Sequence, residues 1–224
     1  MKAFVINLND RHDRWLNIQR HFDGSNITLE RISAVKHRVG AYGNFRSFIK
    51  AIKLAQRLGL PNILILEDDC LPRPGWVDLW PEVVAWLDMN PDKWDIYSGG
   101  AWHMYFPTEV GRSKSVVFYD PAWSVAAHWL YIPERSYAGL LAHYEQASTL
   151  TKVVPALGIN VHNNAFKTVV SYPFMAYQES GFSDIKGSTR SLEKQFINAE
   201  RGLRKAGFGT NRKTRKAAKK LSAF

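Results

Sequence analysis

An α/β fold with a central, mostly parallel sheet is what this chain predicts, and three observations carry the prediction. Residues 3–8, AFVINL, form a continuous apolar run, the pattern of a parallel strand covered on both faces. The first 70 residues then read strand, helix, strand, helix, strand, the alternation of layered α/β proteins. The third strand, ILIL at 63–66, runs directly into three carboxylates, Glu67, Asp68 and Asp69. Like charges this close repel, so a stretch shaped for stability alone would spread them out.

The elements follow in order. Asn9 or Asp10 is placed to cap the first helix, in which Trp15, Ile18 and Phe22 recur at helical spacing. A short strand is expected over 27–32. The segment GAYGNFRSFIKAIKLAQRLGLP opens with Gly40 and Gly43 and offers Asn44 as a helix cap. Phe45, Phe48, Ile49, Ile52 and Ala55 give that helix one apolar stripe, and Gly59 suits the position just past its end. After the acids, Pro72, Pro74 and Gly75 force a turn into a Trp-rich helix over 76–89. WDIYSGG reads as a strand ending in a glycine loop, 115–133 hold further strand signals, and 134–147 read as a helix. KTVVSYPFMAYQESGFSDIKG closes the body with a strand and a loop.

A chain of 224 residues is long enough for one substantial core plus an appendage. Its 46% hydrophobic and 22% charged residues are those of a globular protein. No apolar run approaches the roughly 20 residues needed to span a bilayer. The first residues turn acidic too early for a secretory signal peptide. A single cysteine, Cys70, excludes an intramolecular disulfide and fits a reducing compartment, so the expected setting is the cytoplasm of a bacterium or a phage-infected host. Between Ser191 and Phe224 ten Lys or Arg face two Glu, which leaves +8, whereas the first 190 residues hold 20 basic and 18 acidic ones. The expected division is therefore a nearly neutral body, 1–190, and a basic tail, 191–224, helical or disordered.

In open α/β sheets ligands bind beyond the carboxyl ends of the strands, where the three acids stand. Alternation along an extended chain puts Glu67 and Asp69 on one side and Asp68 on the other. Two carboxylates so arranged suit a hard divalent cation, Mn2+ or Mg2+, which completes its shell with water and phosphate oxygens. Such an ion also neutralises a diphosphate leaving group. The plainer alternative is a solvated strand end whose acids pair with local Arg and Lys.

The stretches FVINLNDRHDRW, GNFRSFIKAI, ILILEDD, WDIYSGG, AAHWLYI and PFMAYQESGFSDI occur in an order that resembles family 25 glycosyltransferases, over roughly residues 3–187. That family includes lipooligosaccharide and collagen galactosyltransferases. The resemblance implies a GT-A-like fold that binds a nucleotide sugar, with UDP-glucose or UDP-galactose as donor. It implies metal contacts from Glu67 and Asp69, and a nucleotide-sugar site that includes Asn7, Arg11, Arg14 and Asp68. In that setting an Arg meets the diphosphate through its planar donors, and Gly40 and Gly43 let the backbone approach the nucleotide. Arg11 and Arg14 also fit a solvated helix face, and the glycines a plain turn. Two departures stand out. The family's GC-x-x-SH is here GNFRSF, and its P-I-D is replaced by ALGINVHNN, so the acceptor side is remodelled.

Transfer to a hydroxyl needs a group that takes its proton. Glu179, Asp184, Asp95, His128 and His162 are the candidates, with Glu179 placed first for its Gly-flanked polar loop and His162 as a third metal contact. Asp95, entering a strand, serves equally as a cap or an ion-pair partner. Arg212, Lys213, Arg215, Lys216, Lys219 and Lys220 suit phosphate contacts, and the scarcity of apolar residues among them argues against membrane insertion. A polyanionic acceptor follows. DNA carrying hydroxymethylated pyrimidines is placed first, reached by groove widening or base flipping, and an envelope glycan second. A non-catalytic DNA-binding protein on a degenerate nucleotide-binding fold is the reading from another class. Oligomeric state leaves no trace in the sequence.

Overall fold

The computed structural model describes residues 1–150, 165–183 and 187–206. Strand β1 (Lys2–Asn7) leads through helix α1 (His12–Phe22), β2 (Thr28–Ser33) and α2 (Gly40–Arg57) to β3 (Asn62–Glu67), the expected alternation. After a turn at 68–69 come β4 (Cys70–Pro72), α3 (Trp76–Met89) and β5 (Ile96–Ser98). Strands β6 (His103–Tyr105), β7 (Thr108–Arg112), β8 (Val117–Asp120), β9 (Trp123–Val125) and β10 (Trp129–Pro133) then precede α4 (Glu134–Leu150). Strands β11 (Thr168–Tyr172), β12 (Ala176–Gln178), β13 (Gly181–Ser183) and β14 (Ser188–Arg190) and helix α5 (Glu193–Ala206) follow.

Eight strands form one sheet in the order β2-β1-β3-β10-β5-β11-β8-β7. β1 pairs in parallel with both β2 and β3, and β10 lies antiparallel between β3 and β5. Followed across the ladder, β10 and β8 alone oppose the common direction of the other strands in this sheet. β12 pairs with β4, β6 with β9, and β13 with β14 outside it.

The apolar runs are continuous because both faces of the sheet are covered. Leu64 and Leu66 of β3 pack with Val5, Trp76, Trp80 and Trp129 against α1 and α3. Ile63 and Ile65 turn the other way, to Phe4, Phe45, Phe48, Ile52, Leu130 and Tyr144 between α2 and α4. Two expected caps are displaced. Helix α1 begins after Arg11, and neither Asn9 nor Asp10 is its N-cap residue. Helix α2 begins at Gly40 with Val39 before it, so Asn44 lies inside the helix, its side chain free for another use. Gly59 does hold a positive φ, 59°, beyond the end of α2.

The basic segment opens with a helix seated on the body. Leu192, Phe196 and Leu203 are buried against Tyr119, Val170 and Phe174. Glu200 accepts the Phe174 backbone N–H at 2.8 Å and the Tyr177 hydroxyl at 3.1 Å, and lies 3.4 Å from Arg73 Nη1. No helix among the described residues is long and apolar enough to cross a membrane.

Candidate active site

The carboxyl ends of β1 and β3 lie side by side, with Ile6 opposite Glu67. A cavity of about 280 Å³ opens there, with Arg14, Glu67, Asp68, Asp69, Asn44 and Gln178 among the residues of its wall. That volume is near the lower end of small-molecule sites, roughly 300–1,000 Å³. Glu67 is the last residue of β3 and reaches Asn44 on the α2 side, the side to which Ile63 and Ile65 also turn. Asp68 lines the same cavity rather than the opposite face. The strand has ended, so the period of two no longer applies in the turn at 68–69.

The three carboxylates are held differently. Asp68 is paired: Arg14 Nη1 donates to its Oδ1 and Asn7 Nδ2 to its Oδ2, each at 2.7 Å. Asn7 is itself fixed, since its Oδ1 accepts Arg31 Nε at 2.7 Å and its amide also donates to the Arg11 carbonyl. Glu67 accepts Asn44 Nδ2 at 2.7 Å and Gln178 Nε2 at 3.2 Å, both neutral donors. Asp69 Oδ1 is buried without a hydrogen-bond partner, and its Oδ2 stands 3.9 Å from Arg14 Nη1, which Asp68 already engages. Burial first, then the charge of Asp69, pushes the Glu67 carboxyl well above the usual range. Burial first, then Asp68, does the same to Asp69. The site therefore holds more negative charge than its own donors compensate.

That imbalance suits a hard cation. Among the described residues no group of three or more His, Cys, Asp or Glu is placed to hold a metal ion. Two carboxylates, one with an unpartnered oxygen, fit magnesium or manganese, which keep several waters and take phosphate oxygens. His162, Asp184 and the tail residues Arg212, Lys213, Arg215, Lys216, Lys219 and Lys220 lie outside the described residues.

The other expected residues fall in several places. Gly40 lines the cavity. Gly43 does not offer its backbone to it: a β-carbon there would meet the Val35 carbonyl, so the glycine lets α2 pass under the loop at 34–37. Arg11 is turned to Asp13, with Nε to Oδ1 at 3.0 Å. Asp95 is removed from the site, at the amino end of β5, where its Oδ2 accepts the Lys167 backbone N–H at 2.9 Å. His128 is a core residue, fully buried, 3.1 Å from the Ala176 carbonyl and edge-on to Phe196. Glu179 is exposed. Its N–H donates to the Asp69 carbonyl at 2.7 Å, and its carboxylate accepts Asn17 Nδ2 at 2.8 Å.

Sequence reasoning misses Asn44, Gln178 and Arg31 as site residues. Asn44 reads as a cap. Gln178 stands in a quoted motif, and its bond to Glu67 depends on the pairing of β12 with β4, which sets Gln178 opposite Cys70.

No family model matches the chain, and no curated protein matches it. Among solved structures it is similar to A197 from STIV, with 11% identity, 84% of this chain and 91% of that one covered, and a TM-score of 0.48. It is also similar to a glycosyltransferase involved in the glycosylation of the major capsid of PBCV-1, with 11% identity, 89% and 98% covered, and a TM-score of 0.47. A third is the mannose-1-phosphate geranyltransferase from Thermus thermophilus, at 12% identity, 75% and 57% covered, and a TM-score of 0.41.

Proposed function

We propose that the chain is a glycosyltransferase that moves a hexose from a UDP-sugar to an acceptor hydroxyl. The observation that carries this reading is the half-buried, undercompensated pair Glu67 and Asp69, with Asp69 Oδ1 buried and unpartnered, facing a cavity at the carboxyl edge of the sheet. A divalent cation held by Glu67 and Asp69 would supply Lewis-acid neutralisation of a diphosphate. The chain's own residues do the rest. Asn7 and Arg14 lock Asp68 in place, and Arg14 sets its guanidinium in the wall of the cavity that takes the diphosphate. Asn44 and Gln178 orient Glu67. The loop at 34–37 and Gly40 form the nucleoside wall.

Glu179 is the proposed base. Its backbone N–H is anchored on the Asp69 carbonyl, while its carboxylate is held by Asn17, so acting as base requires a rotamer change that releases Asn17 and turns the carboxylate to the cavity. The acceptor oxygen attacks the anomeric carbon, the bond from that carbon to the diphosphate oxygen breaks, and the hydroxyl proton passes to the carboxylate. Inversion at the anomeric carbon comes from the family 25 resemblance. The +8 charge of residues 191–224 favours a polyanionic acceptor, with DNA carrying hydroxymethylated pyrimidines first and an envelope glycan as the alternative.

The test offers UDP-glucose and UDP-galactose with manganese, and hydroxymethylcytosine or hydroxymethyluracil DNA beside unmodified DNA. Digested nucleosides are then read by mass. A hexose on modified DNA alone supports donor and acceptor together. UDP release without DNA modification moves the acceptor to a glycan. Asp69→Asn is expected to cost about a hundredfold or more in turnover, the effect of removing one preorganised charge-stabilising group, with unchanged circular dichroism. Undiminished turnover would remove Asp69 from the site.

A further inference from the structure

Gln178 and Glu179 reach the acidic turn on a slight support. Gln178 ends β12, a strand of three residues that pairs with the equally short β4 outside the eight-stranded sheet. A two-stranded ribbon is marginal on its own, and here Pro72, opposite Ala176, has no N–H to give to the ladder. Register matters at this place. Alternation turns the Tyr177 side chain to α5 and that of Gln178 to Glu67, so a slip of one residue would take the Gln178 amide away from the site. The Gly99 carbonyl accepts the N–H groups of Met175 and Ala176 at 2.6 and 3.2 Å, and His128 stands 3.1 Å from the Ala176 carbonyl. Both supports end at Ala176.

Glu200 of α5 meets the ribbon at its other end. Its Oε1 accepts the Phe174 N–H at 2.8 Å and lies 3.4 Å from Arg73 Nη1, which also donates to the Phe174 carbonyl at 3.2 Å. Its Oε2 accepts the Tyr177 hydroxyl at 3.1 Å. Arg73 follows β4 and Phe174 precedes β12, and the Arg73 N–H donates to the Met175 carbonyl at 2.9 Å. One carboxylate thus binds both chains of the ribbon at the end away from the acids. It also fixes the face of Tyr177, and with it the opposite face of Gln178. The seat of Glu200 is firm, because Phe196, one turn earlier on α5, is fully buried against Phe174 and Tyr177. The side chains of Glu200 and Arg73 are 18% and 25% exposed, which limits competition from water for these bonds.

We infer that Glu200 is a positioning residue: from α5 it holds β12 in register on β4, and so sets the Gln178 amide on Glu67 and the Glu179 N–H on the Asp69 carbonyl. The opening helix of the basic segment is then part of the frame of the acidic site. What Glu200 does for a cation rests on the transferase reading above; what it does for the ribbon does not.

The experiment takes two readings on the full chain. Cys70, the single cysteine, is buried in β4 directly opposite Gln178, so its rate of reaction with an aryl disulfide in metal-free buffer reports opening of the ribbon. Manganese affinity by calorimetry reports the site. Glu200→Ala is expected to speed the reaction of Cys70 about tenfold or more, the effect of losing charge-assisted bonds on local opening. The same variant should lose about fivefold or more in manganese affinity, as when a group that orients a metal ligand is removed. Glu200→Gln keeps an oxygen for the Phe174 N–H and should stay close to the parent in both. Tyr177→Phe, which removes one bond and no charge, should show the alanine effect in smaller measure and serves if Glu200→Ala does not fold. Tyr119→Phe removes the hydroxyl that donates to the Leu203 carbonyl of α5 at 3.2 Å, and should leave both readings at the parent's. Parental reactivity of Cys70 in Glu200→Ala and Tyr177→Phe overturns the clamp. Equal acceleration in Tyr119→Phe overturns Glu200 in favour of α5 docking at large. Faster reaction with parental manganese affinity overturns the placing of Gln178 on Glu67. A parent that binds no manganese, with Cys70 still exposed by Glu200→Ala, sinks the cation reading and upholds the clamp.

Discussion

Gly43 sits where α2 passes under the loop at 34–37, and the Val35 carbonyl occupies the space a β-carbon would need. Ser47 closes the same junction, donating to the Gly43 carbonyl and accepting the Val35 N–H, each at 2.8 Å. The loop so pinned carries Lys36 and His37 to the cavity wall. Gly43→Ala therefore pushes backbone against backbone, and overpacking of this kind costs about 1–3 kcal/mol. Because the loop must give, UDP affinity should fall in the same variant. Urea midpoint and UDP affinity, taken on one preparation, check both. An unchanged pair of values would mean that the loop yields freely. At this scale the acids and Arg14 are legible because charged residues at a strand end ask for a reason. Asn44 and Gln178 are not, since a neutral amide shows its purpose only once its partner, 23 or 111 residues away, is beside it.

Helix α5 shows what pattern reading misses in a basic stretch. Its apolar residues are few, yet Phe196 is fully buried against His128, Phe174 and Tyr177. A helix is among the expectations for 191–224, but charge dominates that sequence and hides the apolar stripe that seats α5 on the body. Phe196→Ala removes the central ring of that contact and is expected to cost about 3–5 kcal/mol, the usual range for a buried aromatic. Denaturant unfolding followed by far-ultraviolet dichroism would measure it, and a loss under about 1 kcal/mol would mean that the helix contributes little to the body. The first 70 residues are far more legible. Their strands are six residues long and their helices 11 and 18, enough for either period to declare itself. Between 96 and 133 the strands run three to five residues. The insertion of β10 between β3 and β5 is a long-range pairing that no local pattern encodes.

The two half-buried acids and the buried histidine make the stability of the whole molecule depend on pH in opposite senses. Burial holds His128 neutral, pulling its pKa down from 6.5 to about 4. The unfolded chain takes up that proton below about pH 6.5 and the folded chain does not, so stability falls as pH drops from 6.5 towards 4. The full shift corresponds to about 3 kcal/mol at one pH unit per 1.36 kcal/mol. Glu67 and Asp69 act in the opposite sense. Their folded pKa values are raised, so above the ordinary carboxylate range the unfolded chain ionises first, and stability falls as pH rises through that window towards neutrality. The acids' loss therefore begins just above the ordinary carboxylate range and runs to about pH 8; below pH 6.5 His128 opposes it, and between about pH 6.5 and 8 it stands alone in the metal-free protein. Glu67→Gln removes one ionising group and relieves its neighbour, so its profile over that interval should be flatter than the parent's. Manganese should flatten the parent and leave the variant nearly as it was, because it replaces protons on the same pair. Urea midpoints at fixed ionic strength across the interval decide the matter. Parallel profiles for parent and variant would mean that the acids at the end of β3 are solvated in the folded protein, and the case for a cation there would lose its physical basis.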